Sequence, residues 1–370
     1  MEVFAPVARL DTVRVLLALA AQCGWEVFQL DVKSAFFTVS SKKKYLYNSR
    51  KDLSKKEKKI KSTILRKHYT TLNKHRELKT AKLRRILQRK ISKEFDMSNL
   101  GRMRHFLGIE VIQSDAGIFI CQRRYAREVL VRFNMTDSNP VRNPIVLGTI
   151  LSKDEDGVEV DATKFKQAVG SLMYLTVTRP DLMFGVSLIS RFMTNPKESH
   201  WATTKRLLRY LKGTTEHGIF YKTKGRKIGL IAYTDSNYAR DLDDRRSTSG
   251  LMFMMGYGAV SRASKKQPVV SLSTTEAKYI VATLCACQCI WLRRILEQLG
   301  AKEKDEIVIL CDNSSAIQLS INPVFHGRSK HITVRFHFLR DLVNDKVVRL
   351  SFCCSEEQVA DIMTKSLKLE

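Results

Sequence analysis

Three aspartates in the second half of the chain have the residue type and the setting of a divalent-metal site. Asp235 follows an apolar run at 227–233, Asp312 follows another at 307–311, and Asp361 lies in a later polar segment. Hard divalent cations bind carboxylate oxygens, and an α/β domain can assemble an acidic metal site from carboxylates at the ends of its strands and on a neighbouring helix. The three carboxylates therefore predict metal-dependent chemistry if the fold brings them together.

The surrounding pattern predicts an α/β domain that does so. Strand-like apolar runs alternate with turn signals at 227–233, 250–256, 259–262, 269–272, 307–311 and 347–353. Ser273 and Glu276 have the spacing of a capping box, so a long helix should begin there and end at Gly300. Asp312 and its neighbours should cap a second helix. A third helix should begin at Ser355 and carry Asp361 two turns in.

Several motifs in this region resemble the ribonuclease H domain of copia-type LTR-retrotransposon Pol polyproteins. They lie at 233–235, 243–250, 264–268, 311–316, 322–331 and 360–365. The resemblance implies cleavage of the RNA strand of an RNA–DNA hybrid, with two Mg²⁺ ions held by Asp, Glu, Asp and Asp. Asp235, Asp312 and Asp361 match three of these four ligands. By the same resemblance, Arg328, Lys330 and His331 belong to a basic loop near the scissile phosphate, with a purely structural role as the alternative.

The fourth ligand position carries a lysine. Where the family has Ala-Glu-Tyr, this chain has Ala277, Lys278 and Tyr279. Glu276 lies two residues away, roughly 200° around the helix, so it cannot simply replace the missing acid. An ammonium group removes one ligand and repels the cation. Ribonuclease activity is expected to be absent or strongly reduced, and a second departure, Arg262 where the family usually has tryptophan, also favours loss of function.

The first segment of the chain resembles the start of a copia-type reverse transcriptase palm. The motifs at 4–9 and 31–36 carry this resemblance, which implies that Asp31 is the first metal-binding aspartate and that Phe36 faces the incoming nucleotide sugar. The family adds a Tyr-Val-Asp-Asp hairpin, but residues 38–94 contain no Asp-Asp pair. One carboxylate cannot hold two cations against phosphate. DNA polymerisation is therefore expected to be lost.

Residues 95–226 resemble the family segments that follow that hairpin, including a primer-grip-like strand at 106–109 and thumb-side helices at 165–193. A further helix at 201–213 should carry a basic stripe on one face. The stripe consists of Lys205, Arg206, Arg209 and Lys212. In the family this region supports the template-primer, and an ordinary solvated face is the alternative.

The charge of the chain suits a polyphosphate partner. Its 64 Lys and Arg residues against 37 acids give a net charge of +27, and the range 41–93 alone holds 21 basic residues and three acids. That segment is either a nucleic-acid-binding arm or a rearranged stretch that is basic by chance.

The remaining signals exclude several classes of protein. The eight cysteines show no paired CxxC spacing, which argues against a disulfide framework and a zinc module. His326, His331 and His337 lie close in sequence, but a basic loop explains them better than a metal site. No run approaches the roughly 18 apolar residues of a membrane span. An intracellular protein is expected, with nucleus or cytoplasm left open.

The expected fold class is α/β and α+β, with an incomplete reverse-transcriptase palm and thumb before a ribonuclease H-like mixed-sheet domain. The expected segments are a palm fragment (1–37), a basic arm (38–94), a palm end with primer-grip and thumb or connection helices (95–226) and the ribonuclease H-like domain (227–370). Three functions stay open: a ribonuclease H working with three acids, a non-catalytic protein that binds RNA or hybrid, and a decayed transposon product. A start at the palm favours decay, and an intact Pol chain is a further candidate partner.

Overall fold

The computed structural model describes residues 9–32, 97–223, 229–301, 305–321 and 333–367. Backbone contacts divide the chain into two units. The first unit comprises Met1–Trp25, Arg104–Ile290 and Asp305–Glu370, and the second comprises Glu26–Met103 and Trp291–Lys304. The expectations for Phe36 and for the basic arm at 38–94 fall outside the described residues.

The second unit contains an antiparallel strand pair. Strand β1 (Phe28–Val32) pairs with β2 (Met97–Arg102), and Asp31 lies opposite Ser98. Asp31 is thus part of a strand at the start of the segment that resembles a reverse-transcriptase palm.

The first unit contains a small antiparallel sheet. Its order is β3 (His105–Phe106), β4 (Ile109–Ser114), β5 (Gly117–Cys121) and β6 (Gly218–Lys222). The tight turn at 115–116 joins β4 to β5, as its sequence predicts. Helix α1 (Leu10–Cys23) packs against β5 and β6 and ends at Gly24, whose φ of 65° is the left-handed conformation that favours glycine.

Four helices of the first unit share an apolar core. They are α2 (Arg123–Arg132), α3 (Ala162–Leu175), α4 (Met183–Ile189) and α5 (Glu198–Gly213). Asp161 begins α3 by accepting hydrogen bonds from the Thr163 and Lys164 amides at 2.8 and 3.3 Å. Phe165 and Leu207 are fully buried between these helices. Burial of each such side chain contributes about 1.5–3 kcal/mol, so this core fixes the position of α5.

A mixed five-stranded sheet carries the three aspartates. Its strands are β7 (Leu230–Asn237), β8 (Thr248–Met255), β9 (Gly258–Lys266), β10 (Ile307–Cys311) and β11 (Val348–Phe352), in the order β11-β10-β7-β8-β9. Strands β7, β8 and β9 are antiparallel neighbours, whereas β10 is parallel to both β7 and β11. Because parallel neighbours end at the same edge, the ends of β7 and β10 bring Asp235 and Asp312 together.

Helices of the same region follow the strands. They are α6 (Thr274–Gln298), α7 (Ser314–Ile321) and α8 (Thr333–Asn344). The Gln288 side chain of α6 donates to the Ser261 hydroxyl of β9 at 3.0 Å, so this face of α6 lies against the sheet. Helix α6 is long and apolar enough to cross a membrane by length and composition alone, a test that the buried helix of a sheet domain also passes.

Three local expectations for this region are wrong. Residues 269–272 form no strand, and Val270 and Leu272 are exposed, because β-prone residues need a neighbouring strand with which to pair. Asp235 lies inside β7 rather than beyond its end and pairs with Gly250. Asp361 lies in a short 3₁₀ turn (Val359–Met363) instead of two turns into a helix from Ser355.

Candidate active site and its comparisons

The Lys278 side chain lies between two of the three aspartates. Its Nζ donates to Asp235 Oδ1 at 2.9 Å and also to Asp312 Oδ1. The three side chains are 13%, 1% and 10% exposed, respectively. Lys278 on α6 thus joins the adjacent strands β7 and β10 through a nearly buried ion-pair bridge.

Asp361 is the third acid of the group, and a second lysine, Lys365, forms an ion pair with it. Lys365 Nζ lies 2.8 and 2.9 Å from the two oxygens of Asp361 and 3.8 Å from Asp235 Oδ2. The Thr364 hydroxyl donates to the same Asp235 oxygen. The fold therefore gathers Asp235, Asp312 and Asp361, but two ammonium groups stand among the three carboxylates.

The short turn that carries Asp361 is fixed to the sheet by a buried glutamine. Gln358 Nε2 donates to the Thr234 carbonyl oxygen of β7 at 3.1 Å, and Gln358 Oε1 accepts from the Ala360 amide at 3.2 Å. These bonds place the turn beside the end of β7. The proximity of Asp361 to Asp235 is thus a tertiary contact, set by residues more than 120 positions apart.

The protonation equilibria follow from this arrangement. Burial alone would raise the pKa of Asp235, but Lys278 and the Thr364 hydroxyl outweigh burial and lower that pKa below its ordinary value. Burial would likewise lower the pKa of Lys278, but Asp235 and Asp312 raise it above its ordinary value. Lys278 is therefore a cation at neutral pH. Burial and the charge of Asp235 raise the pKa of Asp361, although Lys365 opposes them.

The residues do not fit a two-metal site. Lys278 uses one oxygen of Asp235 and one of Asp312, and it places a positive charge beside the carboxylates that would have to hold the cations. Among the described residues, no group of three or more His, Cys, Asp or Glu side chains could hold a metal ion.

Glu276 does not take the place of the fourth acid that the family resemblance implies. It is 5% exposed, and its Oε2 accepts from the Leu272 amide at 3.1 Å. Its own amide donates to Ser273 Oγ at 3.1 Å, which is the capping interaction that the sequence pattern predicts at the start of α6.

The basic stripe lies on α5 as a set of partly exposed side chains. Lys205 pairs with Glu198 at 3.0 Å, Arg206 donates to Asn143 Oδ1, and Arg209 Nε donates to the Asn139 carbonyl at 2.7 Å. Lys212 follows on the next turn and is also partly exposed. The other predicted nucleic-acid-binding residues, Arg328, Lys330 and His331, lie outside the described residues, as does His326.

Sequence reasoning missed two residues of the site, Thr364 and Lys365. Both lie inside the motif at 360–365, but only Asp361 was assigned a role there. The spacing of Asp361 and Lys365 was an available signal, because residues four apart on a helical turn lie on the same side and oppositely charged ones pair. Thr364 gave no comparable signal, since its bond to Asp235 depends on the tertiary fold.

Comparison with known proteins first identifies the polymerase-like part. Residues 1–88 and 77–147 match the model of the family described as Reverse transcriptase (RNA-dependent DNA polymerase). The first range includes residues 38–76, so the match extends further into the basic segment than the motifs discussed above. The two ranges overlap at 77–88.

Comparison with whole proteins covers nearly all of the chain. The Retrovirus-related Pol polyprotein from transposon TNT 1-94 of Nicotiana tabacum is 35% identical over 98% of this chain. That alignment extends over 420 residues, which exceeds the 370 residues of this chain, so the relative contains residues that have no counterpart here. The chain spans about a third (31%) of the length of that polyprotein.

Two further comparisons cover only part of this chain. An uncharacterized mitochondrial protein of Arabidopsis thaliana, AtMg00810, is 36% identical over 54% of this chain and 83% of its own length. The solved structure of a foamy viral protease-reverse transcriptase in complex with an RNA/DNA hybrid covers 79% of this chain and 35% of its own, with 11% identity and a TM-score of 0.42.

Sequence similarity and fold agree on the origin of the chain. The expected fold class, a reverse-transcriptase region followed by a ribonuclease H-like α/β domain, is confirmed by the mixed sheet and its helices. With 35% identity to a transposon Pol polyprotein across almost its entire length, the chain belongs to the Pol polyproteins of copia-type LTR retrotransposons.

Proposed function

We propose that this chain binds RNA–DNA hybrid or RNA without hydrolysing it. The observation that carries the proposal is the position of Lys278, whose ammonium group bridges Asp235 and Asp312. A lysine in this position supplies the positive charge that stabilises the carboxylates, but it cannot activate water as a metal ion does.

The positive charge of Lys278 opposes the binding of a metal ion beside it. At an effective dielectric constant of about 20, two unit charges about 4 Å apart interact with about 4 kcal/mol, and a divalent cation doubles that repulsion. The metal would also have to break both hydrogen bonds of Lys278, while Lys365 holds Asp361 and approaches Asp235. We therefore propose that the Mg²⁺ pair implied by the family is not held at Asp235, Asp312 and Asp361.

The charge of the molecule supports binding. The chain has a net charge of +27, and each phosphate neutralised by a lysine or arginine releases counterions and adds affinity. Helix α5 offers Lys205, Arg206, Arg209 and Lys212 along one stretch. These cations stand on a helix that is held by a fully buried core, so they form a fixed surface for phosphates.

Loss of polymerisation is the second part of the proposal. Asp31 lies in β1, but the sequence between 38 and 94 lacks the Asp-Asp pair that the family uses. Without those acids the chain lacks a two-metal centre for nucleotidyl transfer. Cleavage or copying of a bound nucleic acid would then require a second protein, for which an intact Pol chain is the candidate.

The decisive experiment measures cleavage and binding together. The full-length chain is incubated with an end-labelled RNA–DNA hybrid over a range of Mg²⁺ concentrations, beside the Lys278→Glu variant. We expect the unmodified chain to bind without cutting. We expect Lys278→Glu to raise the cleavage rate by about 100-fold or more, the scale on which one charge-stabilising group changes an enzyme's rate.

A double variant provides the matched control. Lys278→Glu with Asp312→Asn keeps the new acid but loses a ligand, so it should return to the background rate. If the unmodified chain cuts the hybrid and Asp312→Asn alone abolishes that activity, the proposal is wrong and Lys278 does not silence the site. If the unmodified chain binds neither RNA nor hybrid, the binding part is wrong.

A further inference from the structure

A cleft of about 470 Å³ lies beside the basic stripe in the first unit. One wall is the face of α5 that carries Ala202, Lys205, Arg206 and Arg209, and Thr203 lies beside them. The opposite wall is the segment between α2 and α3, which contributes Met135, Ile145, Val146 and Thr149. The volume lies within the range of about 300–1,000 Å³ typical of small-ligand sites.

The chemistry of the cleft is divided between its two walls. Ile145 is 1% exposed and anchors the apolar wall in the core, whereas Val146 is 48% exposed and presents its side chain outward. The α5 wall supplies the cations. An apolar surface facing fixed positive charges suits a molecule with a flat apolar body and an anionic group.

Two of the cations lack an acidic partner. Arg206 is held by Asn143 Oδ1 and Arg209 by the Asn139 carbonyl, and neither guanidinium forms an ion pair within the described residues. Arg206 Nε is buried and has no hydrogen-bond partner among those residues. Neutral oxygens orient both groups without neutralising them, so their charge remains available for an external anion.

We propose that this cleft binds one unpaired nucleotide of a single-stranded nucleic acid, an inference that rests on the proposed binding function and specifies its substrate. The base lies against Met135 and Val146, and its phosphate lies against Arg206 and Arg209. The base of a duplex is stacked and paired, so only an unpaired base can reach the apolar wall. A planar guanidinium can also stack on a base. The chain therefore holds single strands, or the unpaired end of a hybrid, more tightly than blunt hybrid.

The test compares two ligands on the full-length chain. Fluorescence anisotropy is measured with a single-stranded RNA of about ten nucleotides and with a blunt RNA–DNA hybrid. The variant Ala202→Trp fills the cleft and leaves every charge in place. We expect it to weaken single-strand binding by about tenfold, the lower range for loss of one base contact, and to leave hybrid binding unchanged.

A second variant tests the anion contact if the filled cleft disturbs folding. Arg209→Gln should weaken single-strand binding and reduce its slope of log affinity against log salt by about 0.7. Two control variants lie on the exposed face of α3, where Met173→Trp introduces the same large side chain and Lys166→Gln removes the same charge. Neither should discriminate between the ligands.

Competition separates a nucleotide site from an anion site. Uridine 5′-monophosphate should displace the labelled single strand at lower concentration than inorganic phosphate does. Equal potency of the two competitors, or an unchanged single-strand affinity in both cleft variants, would overturn the inference while hybrid binding still supported the proposed function. If neither polymer binds, the proposed function fails, and direct titration with uridine monophosphate then decides the cleft by itself.

Discussion

Two buried cations in the first unit occupy opposite surroundings. Lys278 lies between Asp235 and Asp312, and its pKa is raised because these carboxylates outweigh the effect of burial. Arg262, in β9, is 8% exposed and donates to the Thr176 and Val177 carbonyl oxygens. Burial and then the charge of Arg14 lower the pKa of Arg262. By the resemblance described above both residues depart from the family pattern, but only Lys278 lies between two carboxylates.

The difference shows that the cost of burying a cation depends on its partners. Arg262 Nε and Nη1 have no hydrogen-bond partner among the described residues. Arg14 binds the same Val177 carbonyl at 3.2 Å and pairs with Asp11. A buried charge without an acid costs several kcal/mol, whereas a bridged one is largely compensated. Lys278 is structurally tolerable because Asp235 and Asp312 compensate its charge.

The largest effect should follow from removing the compensated cation. Lys278→Met leaves Asp235 and Asp312 close together and nearly buried, so the free energy of unfolding should fall by about 3–5 kcal/mol. Urea denaturation checks this value. Lys166→Met, at an exposed position of α3, is the control and should change stability by less than about 0.5 kcal/mol. A loss below about 1 kcal/mol for Lys278→Met would mean that the bridge contributes little.

Removal of Arg262, the buried cation that pairs with no acid among the described residues, should change the free energy of unfolding in the opposite direction. Arg262→Met removes a buried charge and keeps most of its volume, and such replacements stabilise by about 1–4 kcal/mol. We expect the lower end, because the Thr176 carbonyl loses a donor. Arg262→Lys, which keeps the charge, should give no gain in the same urea titration. Destabilisation by Arg262→Met would show that its two carbonyl contacts outweigh the cost of burying the charge.

A third buried cation allows the comparison to be tested by pH. Arg179 makes a two-pronged ion pair with Asp181, and Tyr210 donates to the same carboxylate at 2.9 Å. Burial would raise the pKa of Asp181, but Arg179 and Tyr210 lower it below its ordinary value. A carboxyl group with a lowered folded-state pKa stabilises the protein above its unfolded-state pKa of about 4, and that contribution is lost as pH falls through the folded-state value.

Asp181→Asn should therefore reduce the change in the free energy of unfolding between neutral and acid pH. At pH 7 we expect a loss of about 2–4 kcal/mol, since the variant leaves Arg179 buried without an acid. The difference from the unmodified chain should shrink as the pH falls below about 4. Thermal unfolding measured between neutral and acid pH checks both points. A difference that stays constant with pH would show that Asp181 acts through packing rather than charge.

The sequence was informative where local pattern decides the outcome. The apolar runs before Asp235 and Asp312 form neighbouring strands, so their acids meet, and Lys278, which the resemblance places at the fourth ligand position, contacts Asp235. The helix start at Ser273 follows from its capping side chains. These features depend on a few adjacent residues and on the parallel pairing that α/β order favours.

Features that depend on contacts between residues distant in sequence could not be predicted from the sequence. The turn with Asp361 is fixed by the bond from Gln358 to Thr234, and the apposition of Arg14 and Arg262 joins α1 to β9. Neither follows from hydrophobic periodicity, because each joins residues more than 100 positions apart in sequence. For the same reason β-prone residues at 269–272 indicated a strand that no neighbouring strand pairs with.

The smallest change in stability should come from removing the charge of Lys205, which is partly exposed. This variant tests whether a charge that contributes little to folding contributes to nucleic-acid binding. Lys205 and Glu198 are 43% and 54% exposed, and such surface pairs contribute about 0–1 kcal/mol because water and salt screen them. Lys205→Gln should therefore unfold at nearly the same urea concentration as the unmodified chain. If Lys205 contacts phosphate, the same variant should lower the slope of log affinity against log salt by about 0.7 for single-stranded RNA. Anisotropy titrations at several salt concentrations measure that slope, with Lys166→Gln as the charge-matched control. An unchanged slope would remove Lys205 from the binding surface and leave it as a surface ion pair.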